Sequence, residues 1–387
     1  MSIRASAACG ALGLVLPLTM LAPAAVGAAG AADNPPPPLV AGADHIALYR
    51  EEYARNFTYF RLPDGPLYVS FGTKPTSNHM DPRTIRALAM LSTDGGRTWQ
   101  RTERDEILPV LRSQRPGRLV EPDSYNWRYD TPDRRAHYEA QGLEVRNTPD
   151  NRIAFATGCF VRVSNDNGTT WTTREIPVPP QALYAGYRDD RALLRVGDRT
   201  ILRAIYGKPV ARVRYYEAWL LRSEDDGETW TVGPLAASVE ADVSHGETAL
   251  AQAANGDIVA MMRTEPALGT RMWVCRSSDL GKTWSKPEQT PLHGHPAHLL
   301  RLRDGRLLCT YGIRDQPIGI RACLSRDDGR TWRAEDIVTL RTGADFKPDS
   351  GYPVTMEWDD GTLVSMYYLT RGDRTGIEVT RWKAPWK

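Results

Sequence analysis

Apolar residues in this chain come in short runs that stop abruptly at turn-forming residues. Leu88 to Leu91, Cys159 to Val163, Ala218 to Leu221, Met272 to Cys275 and Arg321 to Leu324 are such runs. Their length and their polar boundaries predict β-strands, and no useful stretch shows the 3.6-residue period of a helix. Each run leads into the same phrase. It reads Ser92-Thr-Asp94-Gly-Gly96-Arg-Thr98-Trp99 and returns from Ser164, Ser223, Ser277 and Ser325, always as S-x-D-x-G-x-T-W. The chemistry is that of a hairpin turn. The Asp accepts hydrogen bonds from turn N–H groups, the Gly tolerates positive φ, and Ser and Thr add local hydroxyl bonds. The Trp then opens the next strand with a large apolar surface to bury.

Successive copies start 72, 59, 54 and 48 residues apart. That is slightly more than a four-stranded β-propeller blade with short loops requires. Hairpin signals precede the later copies at Asn255-Gly256, Asp304-Gly305 and Asp359-Asp-Gly361. A first blade is expected from about Phe57 and a third from about Ala192. The fourth, fifth and sixth open at Glu247, Ala297 and Tyr352, and the sixth has no phrase. The strand Asp44–Tyr49 is expected to complete the last blade. The stretch from Glu103 to Tyr138 is Pro- and charge-rich and reads as an inter-blade loop. Separate blades keep the five aspartates apart, so they read as fasteners rather than as a set of metal ligands.

Composition adds two constraints. With 49 basic and 47 acidic residues, no charge excess points to nucleic acid or to a membrane surface. Residues 1–31 differ from the rest: Arg4, an apolar run from Ala11 to Val26, then small residues such as Ala25, Gly27, Ala28 and Ala31. They read as a secretory signal peptide, with residues 32–43 as a Pro-rich spacer and 44–387 as the domain. The expected location is therefore secreted or periplasmic. Cys159, Cys275, Cys309 and Cys323 lie inside apolar runs and read as buried thiols; Cys309 with Cys323 is the pair to test for a disulfide.

The repeated phrase resembles the Asp-box of the sialidase (neuraminidase) superfamily, whose fold is a six-bladed β-propeller. Further segments carry the resemblance across roughly residues 45–383. Tyr59-Phe60-Arg61-Leu62-Pro63 resembles the motif bearing the first of three arginines that grip a substrate carboxylate. Gly246-Glu247, followed one hairpin later by Met261-Met262-Arg263, resembles the segment with a glutamate and the second arginine. Ile320-Arg321 precedes a strand and a box, like the third arginine. Ser350-Gly351-Tyr352-Pro353 resembles the segment with the nucleophilic tyrosine, and Asp81 lies 11 residues before Ser92, where the acid/base aspartate falls.

The resemblance implies an all-β, six-bladed propeller and a retaining exo-glycosidase acting on a terminal acidic sugar, most simply sialic acid. Tyr352 would be the nucleophile, Glu247 its base, Asp81 the acid/base, and Arg61, Arg263 and Arg321 the clamp. These residue types suit the chemistry. Guanidinium groups bind a carboxylate in a planar, multidentate way. A carboxylate nucleophile would be repelled by the substrate's own carboxylate, which a tyrosine avoids. His293-Gly-His295-Pro-Ala-His298 reads as pocket wall, with His298 a candidate substrate contact and no zinc pattern. No cofactor, metal or membrane span is implied, the partner is a glycan, and the chain is expected to be monomeric.

Two positions depart from the family. Where many sialidases carry a further arginine after the first inner hairpin, this chain has Lys74. Tyr368 stands where a glutamate often orients the first arginine. Both departures leave open another terminal sugar on the same scaffold, or a non-catalytic carbohydrate-binding propeller.

Overall fold

The structure is a computed structural model that describes residues 36–74, 86–123, 127–148, 150–183, 190–207, 216–236, 243–264 and 271–387. Residues 37–387 form one compact unit. Its strands in chain order begin with β1 (Asp44–Tyr49) and a first sheet, β2 (Tyr53–Arg61), β3 (Leu67–Lys74), β4 (Arg86–Ser92) and β5 (Gln100–Arg101). The second sheet has β6 (Leu119–Asp123), β10 (Cys159–Ser164) and β11 (Thr172–Ile176). Between β6 and β10 come β7 (Trp127–Asp130), the short helix α1 (Arg135–Glu139), β8 (Arg146–Asn147) and β9 (Ile153–Ala156), whose strands make a small sheet of their own.

Three regular sheets follow. They are β12 (Leu193–Val196) to β15 (Thr231–Ala236) through β13 (Thr200–Gly207) and β14 (Glu217–Ser223); β16 (Thr248–Gln252) to β19 (Glu288–His293) through β17 (Ile258–Met262) and β18 (Arg271–Ser277); and β20 (Ala297–Arg301) to β23 (Ile337–Thr342) through β21 (Leu307–Ile313) and β22 (Gly319–Ser325). The sixth has β24 (Gly351–Glu357), β25 (Leu363–Arg371) and β26 (Arg374–Trp382), and β1 pairs with β26 as its outer strand. All ladders are antiparallel.

Every large sheet is packed on both faces, which is why β17 is buried along its whole length. Apolar clusters join the first, second and third sheets, the third to the fourth, the fourth to the fifth and the fifth to the sixth. A last cluster joins the sixth to the first through Val364, Met366, Tyr59 and Val69. First strands meet one another in turn: β12 with β16, β16 with β20, β20 with β24, β24 with β2.

Each phrase is the turn between the last two strands of its sheet, third and fourth in the four-stranded sheets and β10 and β11 in the second. In the third copy Gly227 N donates to Ser223 Oγ (2.8 Å), Ser223 Oγ to Asp225 Oδ1 (2.8 Å), Thr229 N to Asp225 Oδ1 (2.8 Å) and Thr229 Oγ1 to Asp225 Oδ2 (2.5 Å). The other four copies repeat this pattern. The glycine has a second duty: a Cβ on Gly227 would lie 2.3 Å from Val120 of the second sheet, and one on Gly281 2.8 Å from Leu220 of the third. Each of these turns docks on the preceding sheet. Topology also accounts for the sheet without a phrase: in the sixth sheet β26 is followed in space by β1, which is far from it in sequence, so no turn connects them.

One expectation is corrected. The Glu103–Tyr138 stretch is not only a loop. Leu119 and Val120 are buried, and β6 pairs with β10 across Val120 and Val163. Its polar residues misled because Glu121 is matched by Arg162 in the neighbouring strand. The four cysteines expected to be buried thiols are so; Cys309 and Cys323 sit opposite each other on β21 and β22 as free thiols. Among the described residues no helix is long and apolar enough to cross a membrane.

Candidate functional site

Strand direction divides the molecule into two ends. First strands leave one end, second strands return to it, and third strands run away into the repeated turns. A residue at the start of a first strand therefore meets a residue just past a second strand. Arg55 is near the start of β2, Arg191 precedes β12, Glu247 precedes β16, and Tyr352 is second in β24. Arg263 directly follows β17 and Arg314 directly follows β21. These six side chains come together at the end opposite the turns.

At the centre, Tyr352 Oη donates to Glu247 Oε1 at 2.6 Å. Arg263 Nη1 donates to Glu247 Oε2 at 2.6 Å and lies 3.4 Å from the Tyr352 oxygen. The ring of Tyr352 faces three more guanidinium groups, with Arg191 at 4.6 Å, Arg55 at 5.4 Å and Arg314 at 5.7 Å from its centroid. Such distances allow cation–π attraction, and guanidinium groups are the side chains best suited to bind an anion. The side chains of Glu247 and Arg263 keep 16% and 15% of their exposure, so the cluster is sheltered but reachable. Tyr352 itself has φ of 55° after Gly351 at 124°. A non-glycine residue in the left-handed region costs about 1 kcal/mol or more, and such strain concentrates at working sites.

The electrostatics follow from these contacts. Burial raises the Glu247 carboxyl, but the charges of Arg263 and Arg191 and the Tyr352 hydroxyl outweigh it and hold the group at about 2. Burial, then the Glu247 charge, pushes Tyr352 up to about 12. Around the cluster stand buried imidazoles. Burial drives His298 down to about 3 with help from Arg191, and His295 to about 3 with help from Arg263 and Arg314; burial alone takes His245 to about 4.

These three histidines give a pH prediction. Their folded pKa values lie below the unfolded value near 6.5, so the unfolded chain binds more protons between the two. The stability they contribute is whole above pH 6.5 and is lost as pH falls toward 4. Each contributes a slope of about 1 kcal/mol per pH unit. Between pH 6.5 and 4.5, above most carboxylate titration, thermal unfolding should shift steeply to lower temperature, and His298→Gln should flatten the slope. A midpoint constant across that window would refute neutral burial of these rings.

The structure brings together Glu247, Arg263 and Tyr352 of the residues singled out from sequence. His298 lies close by, its Nδ1 accepting from Thr355 N at 3.4 Å. Arg61 does not join them. It ends β2, six residues or about 20 Å from Arg55, and pairs with Asp359 at 2.7 Å while covering Trp358. Arg321 does not join them either: it lies within β22, a third strand, opposite Tyr311, where burial lowers its pKa. Asp81 falls outside the described residues. Lys74 ends β3 at the same end as the cluster. The arginines missed from sequence are Arg55, Arg191 and Arg314. Arg314 had a usable signal, since it follows its second strand just as Arg263 follows β17. Among the described residues no three His, Cys, Asp or Glu side chains are grouped to hold a metal ion.

Comparison with known proteins bears on the family and the fold. The profile of the BNR repeat-like domain matches residues 146–365, and that of the BNR/Asp-box repeat matches residues 90–101. No curated protein matches the sequence. A protein of unknown function from Dyadobacter fermentans is similar over 88% of this chain and 99% of its own, with 26% identity and a TM-score of 0.69. Trypanosoma rangeli sialidase, solved with the inhibitor DANA, is similar over 89% of this chain and 60% of its own (17% identity, TM-score 0.51). The NanB sialidase of Streptococcus pneumoniae is similar over 90% and 71% (12% identity, TM-score 0.52). With the two sialidases the likeness is one of fold.

Proposed function

The chain belongs to the BNR repeat-like family, and from that premise we propose that it is a retaining exo-glycosidase of the sialidase type on a six-bladed β-propeller. The observation that carries this reading is the hydrogen-bonded Tyr352–Glu247–Arg263 group ringed by Arg55 and Arg314. In this reading Arg55, Arg263 and Arg314 bind the substrate carboxylate, in place of the Arg61 and Arg321 expected from sequence. Tyr352 attacks the anomeric carbon as Glu247 takes its proton, and water later releases the sugar from a glycosyl-tyrosine. Asp81 serves as acid/base toward the leaving group. In sequence it falls between β3 and β4, and β3 ends and β4 begins at the end where the cluster lies. Residues 1–31 direct export. Arg191, a fourth guanidinium over the ring, favours as a second reading an acidic sugar other than sialic acid.

The test is hydrolysis of a fluorogenic sialoside, with NMR of the first sugar released. The α-anomer should appear first and mutarotate. Arg314→Ala should raise KM roughly tenfold or more, as expected for a lost charge-assisted contact, whereas Arg321→Ala should leave KM within about twofold. Initial release of the β-anomer would overturn the retaining mechanism. Hydrolysis of other sugar acids but not of sialosides would select the second reading.

A further inference from the structure

We infer that Asp349 is a positioning residue that sets two arms of the arginine cluster, Arg55 and Arg314, from a single carboxylate; the inference rests on the carboxylate-binding reading of this site. Tyr368 occupies the position where a glutamate would face the first arginine, and a phenol cannot offer that charge at neutral pH. The charge comes from elsewhere. Asp349 lies three residues before Tyr352, on the segment that leads into β24. Its Oδ1 accepts from Tyr368 Oη at 3.1 Å and its Oδ2 from Tyr53 Oη at 3.0 Å. Arg55 Nη1 stands 3.7 Å from Oδ1.

Tyr368 passes the restraint on. Its hydroxyl oxygen accepts from Arg314 Nη2 at 3.0 Å, and Arg314 Nε donates to the Ser350 carbonyl at 3.3 Å. The Tyr368 ring is fully buried and lies under the guanidinium of Arg55 at 5.0 Å. One phenol thus stacks under one arginine and bonds the other, and its own hydroxyl proton is committed to Asp349. Tyr53, also buried, fills the second carboxylate oxygen and prevents the carboxylate from rotating away. The arrangement replaces one direct carboxylate–arginine contact by a carboxylate with two tyrosines. It couples arms from the first and fifth sheets, Arg55 on β2 and Arg314 just past β21.

Asparagine at 349 keeps the size and one acceptor but turns two N–H donors toward groups that are themselves donors. Because Asp349 acts on the clamp and Tyr352 keeps its own bond to Glu247, the effect should fall on binding. With the fluorogenic sialoside, Asp349→Asn should raise KM roughly tenfold with kcat within about threefold, and should weaken sialic acid binding by the same factor in calorimetry. Tyr368→Phe should show a smaller KM increase, since it frees only the Arg314 arm, and Asp349→Glu should recover part of the loss. An unchanged KM in Asp349→Asn, in a wild-type background that hydrolyses the substrate, overturns the inference and leaves the reading of the site intact. If the wild type hydrolyses no sialoside, that reading fails instead. A crystal structure of Asp349→Asn then decides the positioning role without substrate: displaced Arg55 and Arg314 side chains support it, and unmoved ones overturn it. Should Asp349→Asn not fold, the structure and KM of Tyr368→Phe decide the Arg314 arm.

Discussion

Replacing Tyr352 with phenylalanine is expected to lower kcat for a sialoside by roughly a thousandfold or more, the scale seen when a covalent nucleophile is removed. The change is a single oxygen. The ring remains, with its contacts to the Arg191, Arg55 and Arg314 guanidinium groups and to the Tyr368 ring, whose centroid is 5.7 Å away. Phenylalanine meets the same backbone strain at φ of 55°, so that cost is carried by both proteins. The lost hydrogen bond to Glu247 is worth about 1 kcal/mol of stability, and Glu247 keeps its bond to Arg263. Folding should therefore survive, and so should binding, because the proposed carboxylate clamp lies in the arginines. The expected signature is a collapse of kcat with sialic acid affinity unchanged within a fewfold. A variant retaining more than a tenth of wild-type kcat would rule out Tyr352 as nucleophile. Loss of binding alone would make Tyr352 part of the clamp instead.

How much of this was legible in the chain depends on whether the information is local. The repeated turn is local: Ser, Asp, Gly and Thr satisfy one another within eight residues, so five matches locate five hairpins without any tertiary knowledge. Glu247 and Arg263 are nearly local, held by one hairpin whose register puts them side by side; Arg263 N donates to the Glu247 carbonyl at 3.0 Å. Tyr352 was legible through resemblance and order along the chain. Sequence alone does not choose between Arg55 and Arg61, because β2 carries an arginine near each end and only strand polarity decides which one reaches the cluster. The motif pointed to Arg61, while the strand delivers Arg55. Arg321 failed for a similar reason. Its distance to Tyr352 in sequence was suitable, but it lies on a third strand, one removed from the pair whose ends build the site. Asp349 and Tyr53 carried no signal, since their pairing spans 296 residues and exists only once the first and sixth sheets pack together.

Glu247→Gln is the second large effect. Its kcat should fall by roughly a hundred- to ten-thousandfold, the range for loss of a positioned general base. The resting site shows why the glutamate is needed and why it cannot act alone. With Glu247 held at about 2 and Tyr352 at about 12, the phenol does not give up its proton before substrate arrives. Arg263 is a main cause of the low value. A substrate carboxylate that binds Arg263 competes for the same guanidinium, relaxes its hold on Glu247 and raises the basicity of that carboxylate as the anomeric carbon approaches. On the proposed reading, the anion-binding residue thereby switches on the base. Two measurements follow. Neither Glu247 nor Tyr352 titrates between pH 4 and 8, so Glu247→Gln should lower the kcat/KM profile without moving its limbs; a displaced acid limb would show that Glu247 titrates there after all. Stability gives the matching sign. The folded pKa of Glu247 lies below its unfolded value of about 4.5, so its contribution is whole above that pH and is lost as pH falls toward 2. Glutamine cannot lose it. The variant should be less stable than wild type at neutral pH, with Arg263 left facing an amide, and the difference should shrink as pH falls from 4.5 toward 2. A gap that stayed constant through that window would mean that Glu247 is not held ionised by its arginines.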